Sequence, residues 1–304
     1  MNFCFPSFHV PLTSITVVDF ILRLINAVKY HLYTAILFTW TDYKTVFFPI
    51  TVFACATAPA RSCSSLLWCC VWVWFHQLMC NVSNQVCGRK EDKINHPWRP
   101  FPSGRVSESQ ALVIRWATVA CCISLSSMYE PELIHTTLGL VIVTLAHDEL
   151  GGGNNVVGKS LCSAAAYVCF EFGATTIIGV MDFVSVTAVI ISGILAFTAV
   201  HAQDFPDVEG DKTTGRMTFP IYAPELSRFF TLFVTIAWSV FLSWFWEVGP
   251  ISTTLFASFG IYVGLRYYFW RTSEADRRSY LTFNVWLMAA HVLPLHARTS
   301  VLAF

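Results

Sequence analysis

Charge is what this chain lacks most. Only 12% of its 304 residues are Asp, Glu, Lys or Arg, about half the roughly 25% of an ordinary soluble domain. A water-facing surface cannot be assembled from so few ionisable groups. Low-complexity linkers and polar stretches long enough for a soluble domain are missing too, so one domain is expected. There is no CxxC pair and no Cys/His metal spacing, although 11 cysteines are present. They sit mostly inside apolar runs, where they read as small packing residues. The segment 12–40 has no uninterrupted apolar core with a small-residue cleavage site, so it is not expected to be a cleaved signal peptide. Formal net charge is zero, without the broad basic surface that a nucleic-acid partner would need.

What the chain has is apolar residues, 55% of the total, in long blocks. About 20 consecutive apolar residues carry a helix across the hydrocarbon core of a bilayer. Blocks separated by charged or Pro/Gly-rich breaks predict about nine membrane helices, near 45–60, 64–87, 109–128, 132–147, 161–180, 183–202, 228–247, 250–270 and 280–297. The fold class is therefore an all-α polytopic membrane bundle. Residues 1–44 form an N-terminal interfacial segment, because 12–40 is amphipathic with Asp19, Arg23 and Lys29 among Ile, Leu and Val. Residues 45–304 form the transmembrane domain.

Threading these spans sorts the charges. One face collects Arg23, Lys29, Lys44, Arg89, Lys90, Lys93, Arg99, Arg105, Lys159, Lys212, Arg216, Arg271, Arg277 and Arg278, while the other receives only Arg61 and Arg298 with a few acids. Cytoplasmic loops are enriched in Lys and Arg, so the first face is expected to be cytoplasmic.

Two loops on that face hold most of the chemistry, 88–107 and 203–222. Ahead of the first, His76, Cys80, Asn84, Gly88 and Asp92 recur every fourth residue, which stacks them along one face of a continuous helix. In the second, Asp204, Asp207 and Asp211 are spaced three and four apart, and on a helix they share a face. Like charges so close repel each other, and divalent cations remove that cost. Mg²⁺ favours one or two carboxylates plus waters and substrate phosphates. The expected metal-holding residues are thus Asn84, Asp92, Asp204, Asp207 and Asp211. Cations follow both clusters, and Arg and Lys clamp phosphate oxygens. Carboxylates for Mg²⁺ beside cations for phosphate are the pattern of diphosphate ionisation.

The run Asp92-Lys93-Ile94-Asn95-His96-Pro97-Trp98-Arg99-Pro100-Phe101-Pro102-Ser103-Gly104, behind Asn84, resembles the UbiA superfamily of intramembrane prenyltransferases. So does Asp204-Phe205-Pro206-Asp207-Val208-Glu209-Gly210-Asp211 with Gly215-Arg216 and Phe219-Pro220. The likeness implies a nine-helix bundle around a lipid-facing cavity, capped by the two loops over a Mg²⁺-diphosphate site. The usual first motif reads NDxxDxxxD, whereas Gln85 and Gly88 here replace its first two acids. The Asn-xxx-Gly-xxx-Asp form, with Asp148-Glu149-Leu150-Gly151-Gly152-Gly153 and Phe170-Glu171-Phe172-Gly173-Ala174, is similar to the fungal UbiA-type terpene cyclases. That branch implies a Mg²⁺-dependent cyclase for farnesyl or geranylgeranyl diphosphate, in the endoplasmic reticulum.

On this reading Arg99, Lys212, Arg216 and Glu171 are candidate catalytic residues. Asn84, Gln85, Lys93, Arg99, Arg105, Lys159, Lys212 and Arg216 are candidate substrate contacts. Aromatic faces that could steady a carbocation cluster at Trp72, Trp74 and Phe75, at Trp244, Phe245 and Trp246, and at Tyr267 to Trp270. Prenyl transfer to an aromatic or polyketide acceptor would use the same metal chemistry. A transporter or receptor would instead string its charges along a mid-membrane pore, and here the acids gather at one face.

Overall fold

The computed structural model describes residues 17–304. The part of the expected interfacial segment before Val17 lies outside these. Fourteen α-helices follow in chain order, and no strand occurs among the described residues. The first is α1 (Val17–Thr39), whose residues are mostly exposed. It is tied to the rest by Arg105, which donates to Thr34 Oγ1 at 2.7 Å and lies 3.9 Å over the Tyr30 ring. A 3₁₀ turn and a π-helical stretch over 40–47 lead into α2 (Phe48–Thr57).

Helix starts follow local chemistry. α3 (Cys63–Cys87) and α5 (Glu108–Tyr129) open on capping boxes at Ser62 and Ser107. α6 (Leu133–Asp148) comes next. Side chains of Asn155, Asp182 and Thr272 cap α7 (Val156–Ile178), α8 (Phe183–Ala199) and α13 (Ser273–Val292). Proline stands in the first turn of α11 (Pro224–Phe245) and α12 (Pro250–Phe269), where its missing N–H costs nothing. Between these lie the short α4 (Arg89–Asn95), α9 (Val208–Thr214) and α10 (Phe219–Tyr222), with α14 (His296–Thr299) near the end.

All nine segments expected to cross the membrane contain helix, but five described helical stretches are long and apolar enough to do so. They are Cys63–Cys87, Glu108–Tyr129, Val156–Ile178, Phe183–Thr214 and Pro224–Phe245, with Leu133–Asp148 as a shorter apolar helix. α2 falls short at 10 residues, only about 15 Å of rise. α12 has the length but is rich in Ser, Thr, Gly and Tyr, and α13 opens on Glu274, Asp276, Arg277 and Arg278.

The bundle has two main cores. Ile50, Trp72, Val73, Leu140, Phe170 and Ile177 join α2, α3, α6 and α7. Phe53, Leu195, Val263, Trp286 and Leu287 join α2, α8, α12 and α13. The two groups share α2 and meet where α7 packs on α8. α3 and α7 approach closely because Gly173 has no side chain; a Cβ there would be driven into the Trp72 ring. Gly173→Ala should therefore cost about 1–3 kcal/mol of stability, read as a lower melting temperature of the detergent-solubilised protein.

Candidate active site

α3 stops at Cys87, and Gly88, at φ −85° and ψ 19°, separates it from α4. The four-residue stripe assumed one unbroken helix, and this break interrupts its register. Cys80 and Asn84 remain on the wall of a cavity of about 500 Å³. His76, deeper in α3, packs away from it, bonded to Thr137 Oγ1 at 2.9 Å and Trp72 O at 2.7 Å. Beyond the break it is Glu91 that lines the cavity, while Asp92 is buried and accepts from Arg99 Nη1 at 2.6 Å. Burial pushes the Asp92 carboxyl up to about 6, against the pull of Arg99.

The second acidic run is not one α-helix either. After α8 the chain continues as a 3₁₀ helix over Val200–Asp207 before α9. At three residues per turn, positions three apart eclipse, and Asp204 and Asp207 both line the cavity. Asp211, one turn into the α-helix, lies fully buried and off the cavity wall. Lys159 Nζ stands 2.7 Å from Asp204 and 3.8 Å from Asp211, and Arg216 stands 3.5 Å from Asp211 while also pairing with Glu91. Gly215, at φ +74°, ends α9 in the left-handed conformation that glycine adopts without strain, and Arg216 N then donates back to Asp211 O at 3.0 Å.

These contacts bring together loops that are remote in sequence. α4 packs on α9, with Asn95 Nδ2 donating to Asp207 O at 3.3 Å, and Gly210 lies so close to Asn95 that no side chain would fit. His96 sits 3.7 Å from Asp207. Burial, with Arg99, Arg277 and Lys44 adding to it, pushes the His96 imidazole down to about 3, so this contact involves the neutral ring. The glycine-rich turn after α6 joins the same cap: Arg216 Nε donates to Gly153 O at 3.3 Å. A Cβ on Gly153 would meet the His147 ring at 2.7 Å and Arg216 at 3.0 Å.

Of the other expected site residues, Arg99, Lys159 and Arg216 line the cavity. Lys93 and Lys212 are exposed and not on its wall. Gln85 is buried and donates to Phe38 O at 2.9 Å, and Arg105 pins the loop to α1. Glu171 is fully buried between helices, accepting from Ser192 Oγ at 2.5 Å with His291 Nε2 at 3.4 Å, and does not reach the cavity. None of the three aromatic clusters lines it; Trp98, Tyr167, Phe170 and Tyr280 do. Sequence reasoning also passed over Asp42, Lys44, Asp148 and Arg277 as wall residues. Asp148 could have been found, since a charge ending an apolar run is itself a functional signal.

The wall thus has two chemistries. Carboxylates and cations belong to the cap, and Val46, Ile50, Val143, Ala166 and Phe170 give the apolar part. Among the described residues no three His, Cys, Asp or Glu side chains converge into a closed metal cage. Oxygen donors from Asn84, Asp204 and Asp207 suit an ion that keeps several waters or phosphates, which is the habit of Mg²⁺.

An all-helical membrane bundle with such a cavity defines a class of integral membrane proteins suited to a charged headgroup on a hydrocarbon tail. The chain belongs to the UbiA prenyltransferase family, which matches residues 45–288. It is 28% identical to a fumagillin beta-trans-bergamotene synthase of Aspergillus fumigatus, over 87% of this chain and 92% of that one. A diterpene cyclase of Hericium erinaceus is 29% identical over 71% of this chain and 73% of its own length, and a polyprenyl transferase of the same organism is 26% identical over 81% and 88%. The fold matches a UbiA homolog from Archaeoglobus fulgidus, solved bound to DMAPP and Mg²⁺, with TM-score 0.64 and 17% identity over 88% of this chain and 100% of that one.

Proposed function

We propose that this chain is a Mg²⁺-dependent terpene cyclase that ionises a linear farnesyl or geranylgeranyl diphosphate and closes the allylic cation into a hydrocarbon. One observation carries the reading: a single cavity joins a rim of carboxylates and cations to an apolar, aromatic wall. Asp204 and Asp207, with Asn84, would hold Mg²⁺, which when bound neutralises charge on the departing diphosphate. Arg99, Lys159 and Arg216 line the wall and would take the phosphate oxygens. Asp92 and Asp211, buried behind them, position Arg99 and the Lys159/Arg216 pair. The faces of Tyr167, Phe170 and Tyr280 would each attract a carbocation by about 0.5–2 kcal/mol, more when dry. The diphosphate itself can take the final proton, and Glu171, away from the wall, is assigned no step.

Cyclisation is favoured over transfer by the depleted first motif and by the likeness to a bergamotene synthase and a diterpene cyclase. Transfer to an acceptor keeps the support of the polyprenyl transferase likeness. The charge asymmetry supports a cytoplasmic cap, and the fungal relatives favour the endoplasmic reticulum. Microsomes containing the protein, given farnesyl or geranylgeranyl diphosphate with Mg²⁺ and no acceptor, should yield a cyclic hydrocarbon by gas chromatography and mass spectrometry. Product that forms only after an aromatic or polyketide acceptor is added would replace cyclisation by transfer.

A further inference from the structure

Asp148 is the last residue of α6, and its side chain is 3% exposed while lining the cavity. A helix C-terminus carries partial negative charge, so a carboxylate belongs there less than anywhere else on the helix. Burial with no Lys or Arg partner, only the His147 ring beside it, adds to the cost. Of the other wall carboxylates three are compensated, and the fourth, Asp207, is 30% exposed with His96 at 3.7 Å. Glu91 pairs with Arg216 and Asp204 with Lys159, and Asp42 accepts from Asn81, Thr41 and Thr45. Asp148 has one oxygen in use, Oδ1, which accepts from Asn84 Nδ2 at 3.1 Å and lies 2.8 Å from His147 Nδ1. Its Oδ2 is buried with no hydrogen-bond partner.

We infer that Asp148 is a metal ligand of this site, with Oδ2 as its coordinating atom, standing where the first motif lacks its acids. The inference rests on the reading of the cavity as a Mg²⁺-diphosphate site. Gln85, at one of the depleted positions, is turned to Phe38 and cannot serve. Asn84, the surviving first-motif residue on the wall, holds Asp148 through its amide. His147 fixes the same oxygen from the other side and is itself held against Gly153. Oδ1 is thereby locked, which orients Oδ2. The divalent cation supplies the positive charge that the helix end and the burial otherwise withhold, and α6 contributes a carboxylate that neither motif loop carries.

The test uses the full chain in lipid nanodiscs, with Mn²⁺ and inorganic pyrophosphate as probe and the free Mn²⁺ paramagnetic resonance signal as readout. Asp148→Asn keeps an oxygen that can accept from Asn84, so a merely structural Asp148 would tolerate it. Asp148→Glu keeps the charge and disturbs the geometry. Asp148→Asn should weaken Mn²⁺-pyrophosphate binding by about tenfold to a hundredfold, with a melting temperature in the absence of metal that is no lower than wild type, and Asp148→Glu should retain most of the binding. Wild-type affinity in Asp148→Asn would overturn the inference. Should Asp148→Asn show no folded transition, Asp148→Glu decides: retained binding supports ligation and lost binding overturns it. Asp204→Asn separates the two levels. If it loses binding while Asp148→Asn does not, only this inference fails; if the wild-type protein binds no Mn²⁺ with pyrophosphate, the diphosphate reading fails with it.

Discussion

Replacing Asp204 and Asp207 together by Asn is expected to lower product formation by roughly 10³-fold or more, with the protein still folded. The magnitude follows from what the pair would hold. A metal ion offsets several kcal/mol of charge developing on a leaving group, and each 1.36 kcal/mol is a tenfold change in rate. Asn keeps the volume of Asp but is a poor Mg²⁺ donor. Folding should survive because Lys159 keeps Asp211 at 3.8 Å as a partner and the substitution removes like-charge repulsion among neighbouring acids. Initial rates in microsomes, beside melting temperatures in detergent, measure both quantities. Full activity in the double variant would rule out metal-assisted ionisation at this cap, for cyclisation and transfer alike.

Lys159→Met should act on both stability and chemistry. Lys159 stands 2.7 Å from Asp204 and 3.8 Å from Asp211, with all three side chains largely buried. Removing one partner from a buried ion pair leaves an uncompensated charge and typically costs about 3–5 kcal/mol. The expected result is a marked fall in melting temperature with product formation lost. Adding Asp204→Asn to Lys159→Met should restore part of the stability and none of the activity, because the stranded charge is relieved but the phosphate contact proposed for Lys159 is not restored. A melting temperature unchanged by Lys159→Met would show that the ion pair contributes little, its Coulomb attraction merely offsetting desolvation.

The helical segments were legible because apolar run length, capping serines and prolines at helix starts are local properties. All nine expected segments contain helix, and Ser62, Ser107, Pro224 and Pro250 mark where four of them begin. The two loops and their cations were legible for the same reason, charge being rare in this chain. The facing of individual acids was not. Asp92 and Asp211 were placed on the same helical faces as Asn84 and Asp204, yet neither lines the cavity. The break at Gly88 and the 3₁₀ stretch ahead of α9 each interrupt the α-helical period from which those faces were inferred.

The sequence by itself determined an all-helical membrane chain and two acidic and basic loops, because composition and run length act locally. Only the tertiary structure decided which side chains meet. It turned Glu91 to the wall instead of Asp92, set Lys159 of α7 between two aspartates, and brought Asp148 and Tyr167 to a cavity that the motif spacing could not have assigned them. Those placements depend on packing between segments more than 40 residues apart, and on the closeness that Gly173 and Gly210 allow, which no local period encodes.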